Sequence, residues 1–248
     1  MLEVKDLMVF FENALALNGL SLTVNKGEIV GIIGSNSAGK TTLMNTLSGL
    51  IIDMRIKEEI CGGERITVYG KVIYKNEDIT FTKPHERVKM GIVLSRERHP
   101  IFPESSVLEN LKIAGYLRTK KEIQETMQYV FELFPGLKKH KKRLAGFLSG
   151  GEQQMLAIGM ALIVRPEILL LDEPLLGLSP MMQKSVVDAI RDLNKSIGIT
   201  VVLSEQFARP VLPMIDKGYV VENGMLTLSG TGQELMDNPE IKAAYFGV

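Results

Sequence analysis

The chain predicts an α/β fold, and three observations carry that expectation. The first is Glu28-Ile29-Val30-Gly31-Ile32-Ile33, a short apolar run that enters a glycine-bearing loop and, from Lys40 to about Leu50, a helical pattern. The second is a later alternation: an apolar run at Ile168 to Leu171, a helical pattern around Met181 to Ile197, and another run at Ile199 to Leu203. The third is that no period repeats and no low-complexity linker divides the 248 residues, so 1–248 reads as one domain with appended subregions.

The remaining elements follow in order. Leu2 to Val9 and Ala16 to Val24 flank Phe10-Phe11-Glu12-Asn13 and read as an opening strand pair, followed by a turn at Lys26-Gly27-Glu28. Asp53 to Tyr74 mixes charges, Gly62-Gly63 and the β-formers Ile66-Thr67-Val68-Tyr69, and is expected to be a small antiparallel region without a long helix. Val107 to Phe134 places Leu108, Leu111, Met127, Val130 and Phe131 at helical spacings, and a further helix is expected from about Gly151 to Val164.

Composition narrows the function classes. At 45% hydrophobic and 23% charged, the chain falls outside the collagen-like, disordered and disulfide-scaffold classes. Its 29 basic and 29 acidic residues cancel, so no global field draws it to nucleic acid or an anionic membrane. The one cysteine, Cys61, can make no internal disulfide. No run approaches the ~20 apolar residues of a spanning helix, and Met1-Leu2-Glu3-Val4-Lys5-Asp6 carries charge where a signal peptide needs apolar residues. The expectation is a cytosolic protein, peripheral to a membrane at most.

Gly34-Ser35-Asn36-Ser37-Ala38-Gly39-Lys40-Thr41 matches the P-loop pattern, with Thr42 following. Glycines let successive backbone N–H groups turn inward around a phosphate, and the helix that starts there adds its positive dipole end. Lys40 is placed to reach the β- and γ-phosphates of ATP and the Thr41 hydroxyl to sit on Mg²⁺. Ile168 to Leu171 ends in Asp172-Glu173; the first carboxylate is expected to hold the metal through its water, the second to orient or deprotonate the attacking water. Leu148-Ser149-Gly150-Gly151-Glu152-Gln153-Gln154 reads physically as a helix cap, with Ser149 at Ncap and Glu152 at N3, and equally as a second anion-binding helix start.

That heptad, between a P-loop and an apolar strand ending in Asp-Glu, resembles the signature of ABC ATPases. Leu148 to Ile158, Leu169 to Pro174 and Leu176-Gly177-Leu178-Ser179-Pro180 are similar to the ATP-binding subunits of branched-chain amino-acid ABC importers. So are Phe102-Pro103 with Val107 to Leu111, and the tail Gly230-Thr231-Gly232, Asn238-Pro239 and Ala244-Tyr245-Phe246-Gly247. The resemblance implies a P-loop core with an antiparallel β-subdomain over 1–102 and 165–248, and an inserted helical subdomain over 103–164. It implies Phe11 stacking on adenine, and Ser149, Gly150, Gly151 and Glu152 covering the ATP of a second ATPase subunit in a head-to-tail dimer. Integral membrane permease subunits would receive the motion, with the chain on the inner face of the membrane.

Four departures from the wider family pattern stand out. Glu97 occupies the place of a glutamine that touches Mg²⁺ and senses the permease, and Gln206 the place of the switch histidine. Glutamine can hydrogen-bond a γ-phosphate but carries no proton or charge, and it is similar to one of the two branched-chain ATPase types, which implies a heterodimer. Leu176-Gly177-Leu178-Ser179 lacks the usual aspartate, and Asp53 to Tyr69 is longer than its family counterpart. Urea/amide importers, the lipopolysaccharide-export ATPase and non-transport ABC proteins remain alternatives. Lys138 to Arg143 is a basic run without interleaved aromatics, which reads as a solvated connection and not as a nucleic-acid surface. His85, His99 and His140 lack metal-ligand spacing.

Overall fold

β1 (Leu2–Phe11) and β2 (Ala14–Val24) form the expected antiparallel pair. The structure is a computed structural model that describes residues 1–97 and 100–246; His99 and Gly247 lie outside the described residues. Along β1 the buried positions are Leu2, Val4, Leu7 and Val9, a strict alternation broken once. The break is a bulge: Asp6 has φ 46°, and the pairing of β1 with its other neighbour in the sheet, the strand Ile66–Tyr74, slips between Lys5 and Met8 opposite Gly70, itself at φ 86°.

β3 (Ile29–Ile33) is buried at every residue, as a central parallel strand covered on both faces must be. It runs into α1 (Lys40–Ser48), which ends at Gly49 in the left-handed region. α2 (Leu50–Cys61) follows at once and corrects the antiparallel expectation for Asp53 onward. Its apolar side is too narrow to stand out in sequence: Ile51 and Ile52 are buried and Ile56 packs beside them. The helix is instead held by packing, by left-handed glycines at both ends and by the exposed pair Arg55–Glu59 at 2.9 Å. Antiparallel structure begins only with β4 (Ile66–Tyr74), followed by the short β5 (Glu77–Asp78).

α3 (Pro84–Lys89) and β6 (Ile92–Ser95) precede a helical stretch of α4 (Val107–Ala114), α5 (Lys120–Leu133), α6 (Pro135–Lys139) and α7 (Gly150–Ile163). β7 (Ile168–Asp172), α8 (Pro180–Ile197), β8 (Thr200–Glu205), β9 (Lys217–Glu222), β10 (Met225–Gly230), α9 (Gly232–Asp237) and α10 (Pro239–Ile241) complete the described chain.

Two sheets result. One is antiparallel, ordered β2-β1-β4-β5; the other is ordered β10-β9-β3-β8-β7-β6, parallel except for the β10 edge. Alternate residues of the parallel strands face two cores. Val30, Ile32, Ile168 and Leu170 join the antiparallel sheet, α1 and α2, while Ile29, Ile33, Leu169 and Leu171 face α7, α8 and the helical stretch. The basic run has a structural task. Its exposed side chains leave the carbonyls of Lys141 and Arg143 to accept the N–H groups of Leu108 and Val107, which open α4.

Candidate active site

Parallel strands deliver their C-terminal ends to one edge, and there β3, β6, β7 and β8 end side by side. A cleft of about 640 Å³ opens at that edge, lined by Asn36, Ser37, Gly39, Lys40, Thr41 and Thr42 of the glycine loop, by Glu97 after β6 and by Glu173 after β7. Two glycines of the loop are dictated by close approach. A Cβ on Gly39, at φ 103°, would lie 2.7 Å from the Ala16 carbonyl oxygen, and one on Gly34 would run into the Val221 carbonyl.

Lys40 is 3% exposed, and its ammonium bonds to the carbonyls of Gly34 and Ser35, each at 2.9 Å. Its third partner is a Glu173 carboxylate oxygen at 3.0 Å. Glu173 stands at φ 47°, held by its N–H donating to the Ser204 carbonyl at 3.2 Å and to the Ser204 hydroxyl at 3.1 Å. The Ser204 hydroxyl in turn donates to Asp172 Oδ1 at 2.6 Å, and the Thr41 hydroxyl approaches the same oxygen at 3.4 Å. Burial pushes the Asp172 carboxyl above its usual range, the two hydroxyls pull it back, and the charges of Glu173 and Glu97 push it further up.

Thr41, Asp172 and Glu97 offer only oxygen donors, the chemistry that a hard dication with retained waters requires. Among the described residues no group of three or more His, Cys, Asp or Glu could hold a metal by itself. The donor set therefore fits an ion shared with phosphate oxygens and water rather than one caged by protein.

Other predicted residues lie elsewhere. Ser149 is the Ncap of α7 with Glu152 at N3: the Glu152 carboxylate accepts the Ser149 N–H at 2.9 Å and its hydroxyl at 2.8 Å. Gly150 and Gly151 form the first turn. This helix start borders a separate cavity with Phe134, Met155, Met182 and Asp188, so one chain does not bring it to Lys40. Phe11 ends β1, pairs in register with Ala14 and Ile66, and packs against the antiparallel-side core; it does not line the cleft, where Leu15 and Ala16 stand instead. Gln206 directly follows β8, half-buried and off the cleft wall.

Sequence reasoning missed several lining or supporting residues. Asn223 and Gly224 line the cleft from the β9–β10 turn, where the Gly224 N–H donates to Ala38; an Asn-Gly turn between apolar runs was the available signal. Ser204 and Glu205 gave none, because the expected strand stops at Leu203 and the two residues read as the polar stretch after it, whereas β8 runs through both.

The comparisons with known proteins agree on the family. The family described as ABC transporter matches residues 17–176. The high-affinity branched-chain amino acid transport ATP-binding protein BraG of Pseudomonas aeruginosa is 38% identical over 247 residues, covering 100% of both chains. The probable branched-chain amino acid transport ATP-binding protein LivF of Archaeoglobus fulgidus is 32% identical, over 98% of this chain and 94% of the relative. A solved ATP-binding cassette of an ABC transporter in its ADP conformation superposes with a TM-score of 0.83 at 28% identity, covering 100% of this chain and 99% of that one. With its fold, its phosphate-loop cleft and these full-length likenesses, the chain belongs to the ABC transporter family as an ATP-hydrolysing enzyme of the P-loop ABC ATPase fold.

Proposed function

We propose that the chain is the ATP-hydrolysing subunit that powers solute import by an ABC transporter, the solute being branched-chain amino acids. The observation that carries this reading is the meeting of Lys40, Thr41, Glu97 and Glu173 around one cleft, in a chain that is alike along its whole length to BraG.

In this reading the loop amides and Lys40 bind the β- and γ-phosphates, and Lys40 stabilises the charge of the transferring group. Glu173 accepts the proton of the attacking water, and Gln206, off the cleft wall as it stands, would have to turn in to donate its amide to the γ-phosphate. Thr41, Asp172 and Glu97 would hold Mg²⁺, which when bound neutralises phosphate charge. Phe11, outside the cleft wall at the end of β1, would take the adenine face where the nucleotide extends past Leu15 and Ala16. Residues 1–102 and 165–248 act as the core with its β-subdomain, and 103–164 as the helical subdomain that meets the permease.

Two ATPase subunits pair head to tail, so that Ser149, Gly150, Gly151 and Glu152 of one cover the nucleotide of the other. The separation of Ser149 from the Lys40 cleft supports that arrangement. Gln206 supports a heterodimer with a related, distinct subunit. No helix among the described residues is long and apolar enough to cross a membrane. The chain would therefore be held by permease subunits at the cytoplasmic face, with no part for nucleic acid.

The test is copurification followed by reconstitution. Permease subunits should copurify with the chain, and vesicles holding the complex should show leucine-stimulated phosphate release in the presence of the matching solute-binding protein. Stimulation by urea or short amides instead would move the solute assignment, and absence of any membrane partner would overturn the transport role.

A further inference from the structure

We propose that Glu205 is a positioning residue for hydrolysis, fixing the turn that carries Glu173 against the end of β8 and the loop after β3. The inference rests on the reading of Glu173 as the base. Glu205 closes β8 at 2% exposure. Its Oε1 accepts the N–H of Leu175 at 2.8 Å, two residues beyond Glu173. Its main-chain carbonyl accepts the N–H of Gly34, the first residue of the phosphate loop, at 3.2 Å. One residue thus bonds to the turn after β7 and to the loop after β3, and itself leads into the loop after β8.

Glu173 needs such support. A non-glycine residue at φ 47° persists only where its surroundings hold it. Ser204 holds its N–H from one side, and Glu205 holds the turn after it through Leu175, itself only 2% exposed. Without an acceptor at position 205, the buried Leu175 N–H loses its partner and the turn can relax. Burial, reinforced by the charge of Glu173, pushes the Glu205 carboxyl up to about 8, so near neutrality it works as a hydrogen-bonding group and not as a fixed charge. A glutamine has the same shape and keeps an oxygen acceptor, whereas methionine keeps the volume without it.

The measurement is phosphate release by the complex that copurifies with the chain. Glu205→Gln should keep kcat within about twofold of the wild type, by retaining the acceptor. Glu205→Met should lose about tenfold or more in kcat with KM for ATP changed less than about threefold, the pattern of a displaced reacting group. Single-turnover measurement of Glu173→Gln with and without Glu205→Met should show no further loss, because the effect passes through Glu173. Amide exchange at Leu175 should quicken in folded Glu205→Met and not in Glu205→Gln, a readout independent of turnover. Wild-type kcat in Glu205→Met, equal losses in the Gln and Met variants, or an additive loss in the double variant would each overturn the role of Glu205. Wild-type turnover by Glu173→Gln would sink the base assignment and this role with it. An inactive Glu173→Gln beside a fully active Glu205→Met would sink the Glu205 role alone.

Discussion

The Lys40 ammonium lies 3.0 Å from the Glu173 carboxylate, with side-chain exposures of 3% and 11%. The cation expected on the phosphates is thus bound to the base expected to activate water, and to two carbonyls of its own loop. A phosphate bound by Lys40 would have to compete with these partners, so on the proposed reading ATP binding would release Glu173 as it engages Lys40.

Glu173→Gln should therefore bind ATP more tightly, about tenfold, since a neutral amide competes less for the ammonium. Hydrolysis should fall by about a hundredfold or more through loss of the base. Nucleotide titration and phosphate release measure the two effects separately. Lys40→Ala should lose both, because it removes the ammonium placed to meet the β- and γ-phosphates.

Ser149 and Lys40 should complement each other between chains. Ser149→Arg and Lys40→Ala are each expected to be inactive alone. Mixed under conditions where mixed dimers form, they leave one intact composite site per dimer, and phosphate release should recover. A mixture no better than either variant would contradict sharing between subunits.

Arg87 is fully buried and donates to five main-chain carbonyls, among them Thr46 at 2.6 Å and Leu47 at 2.8 Å at the end of α1, Thr80 at 3.0 Å and Thr82 at 3.1 Å, with Ile79 as the fifth. Burial brings its guanidinium down to about 10. Arg87→Leu strips these carbonyls of their donor and should cost about 3 kcal/mol or more. Urea unfolding checks this; a loss below about 0.5 kcal/mol would mean that water replaces the side chain.

Stability should also depend on pH through Glu205. Its folded value, about 8, lies above the carboxyl's ordinary 4.5, so across that window the folded chain keeps a proton that the unfolded chain gives up. The contribution is fully present below 4.5 and is lost as pH rises through 8. Relative to Glu205→Gln, which has no such proton, the wild type should lose on the order of 1–3 kcal/mol between pH 5.5 and 8.5. Parallel unfolding curves at the two pH values test the sign; a constant difference would show that Glu205 does not titrate in this range.

By itself the sequence determined the backbone-coded parts of this protein. Ile29 to Ile33 and Ile168 to Asp172 are apolar strands, Gly34 to Thr41 shapes a phosphate loop by glycine placement, and Ser149 with Glu152 caps a helix. Each is a local pattern whose meaning depends on its immediate neighbours, so it can be read along the chain. Tertiary structure decided the rest. α2 is helical because Ile51, Ile52 and Ile56 find a core, and the segment after it closes onto the β1–β2 turn, where Arg65 donates its N–H to the Glu12 carboxylate at 2.6 Å. The Lys40–Glu173 pair joins residues far apart in the chain, and the reach of Glu205 to Leu175 exists only because β7 and β8 are neighbours in the sheet. The burial that moves Asp172 and Glu205 from their ordinary acidity comes from the same assembly. Desolvation and long-range pairing are properties of what surrounds a side chain in space, and that surrounding is made only when the two sheets and the helices close over it.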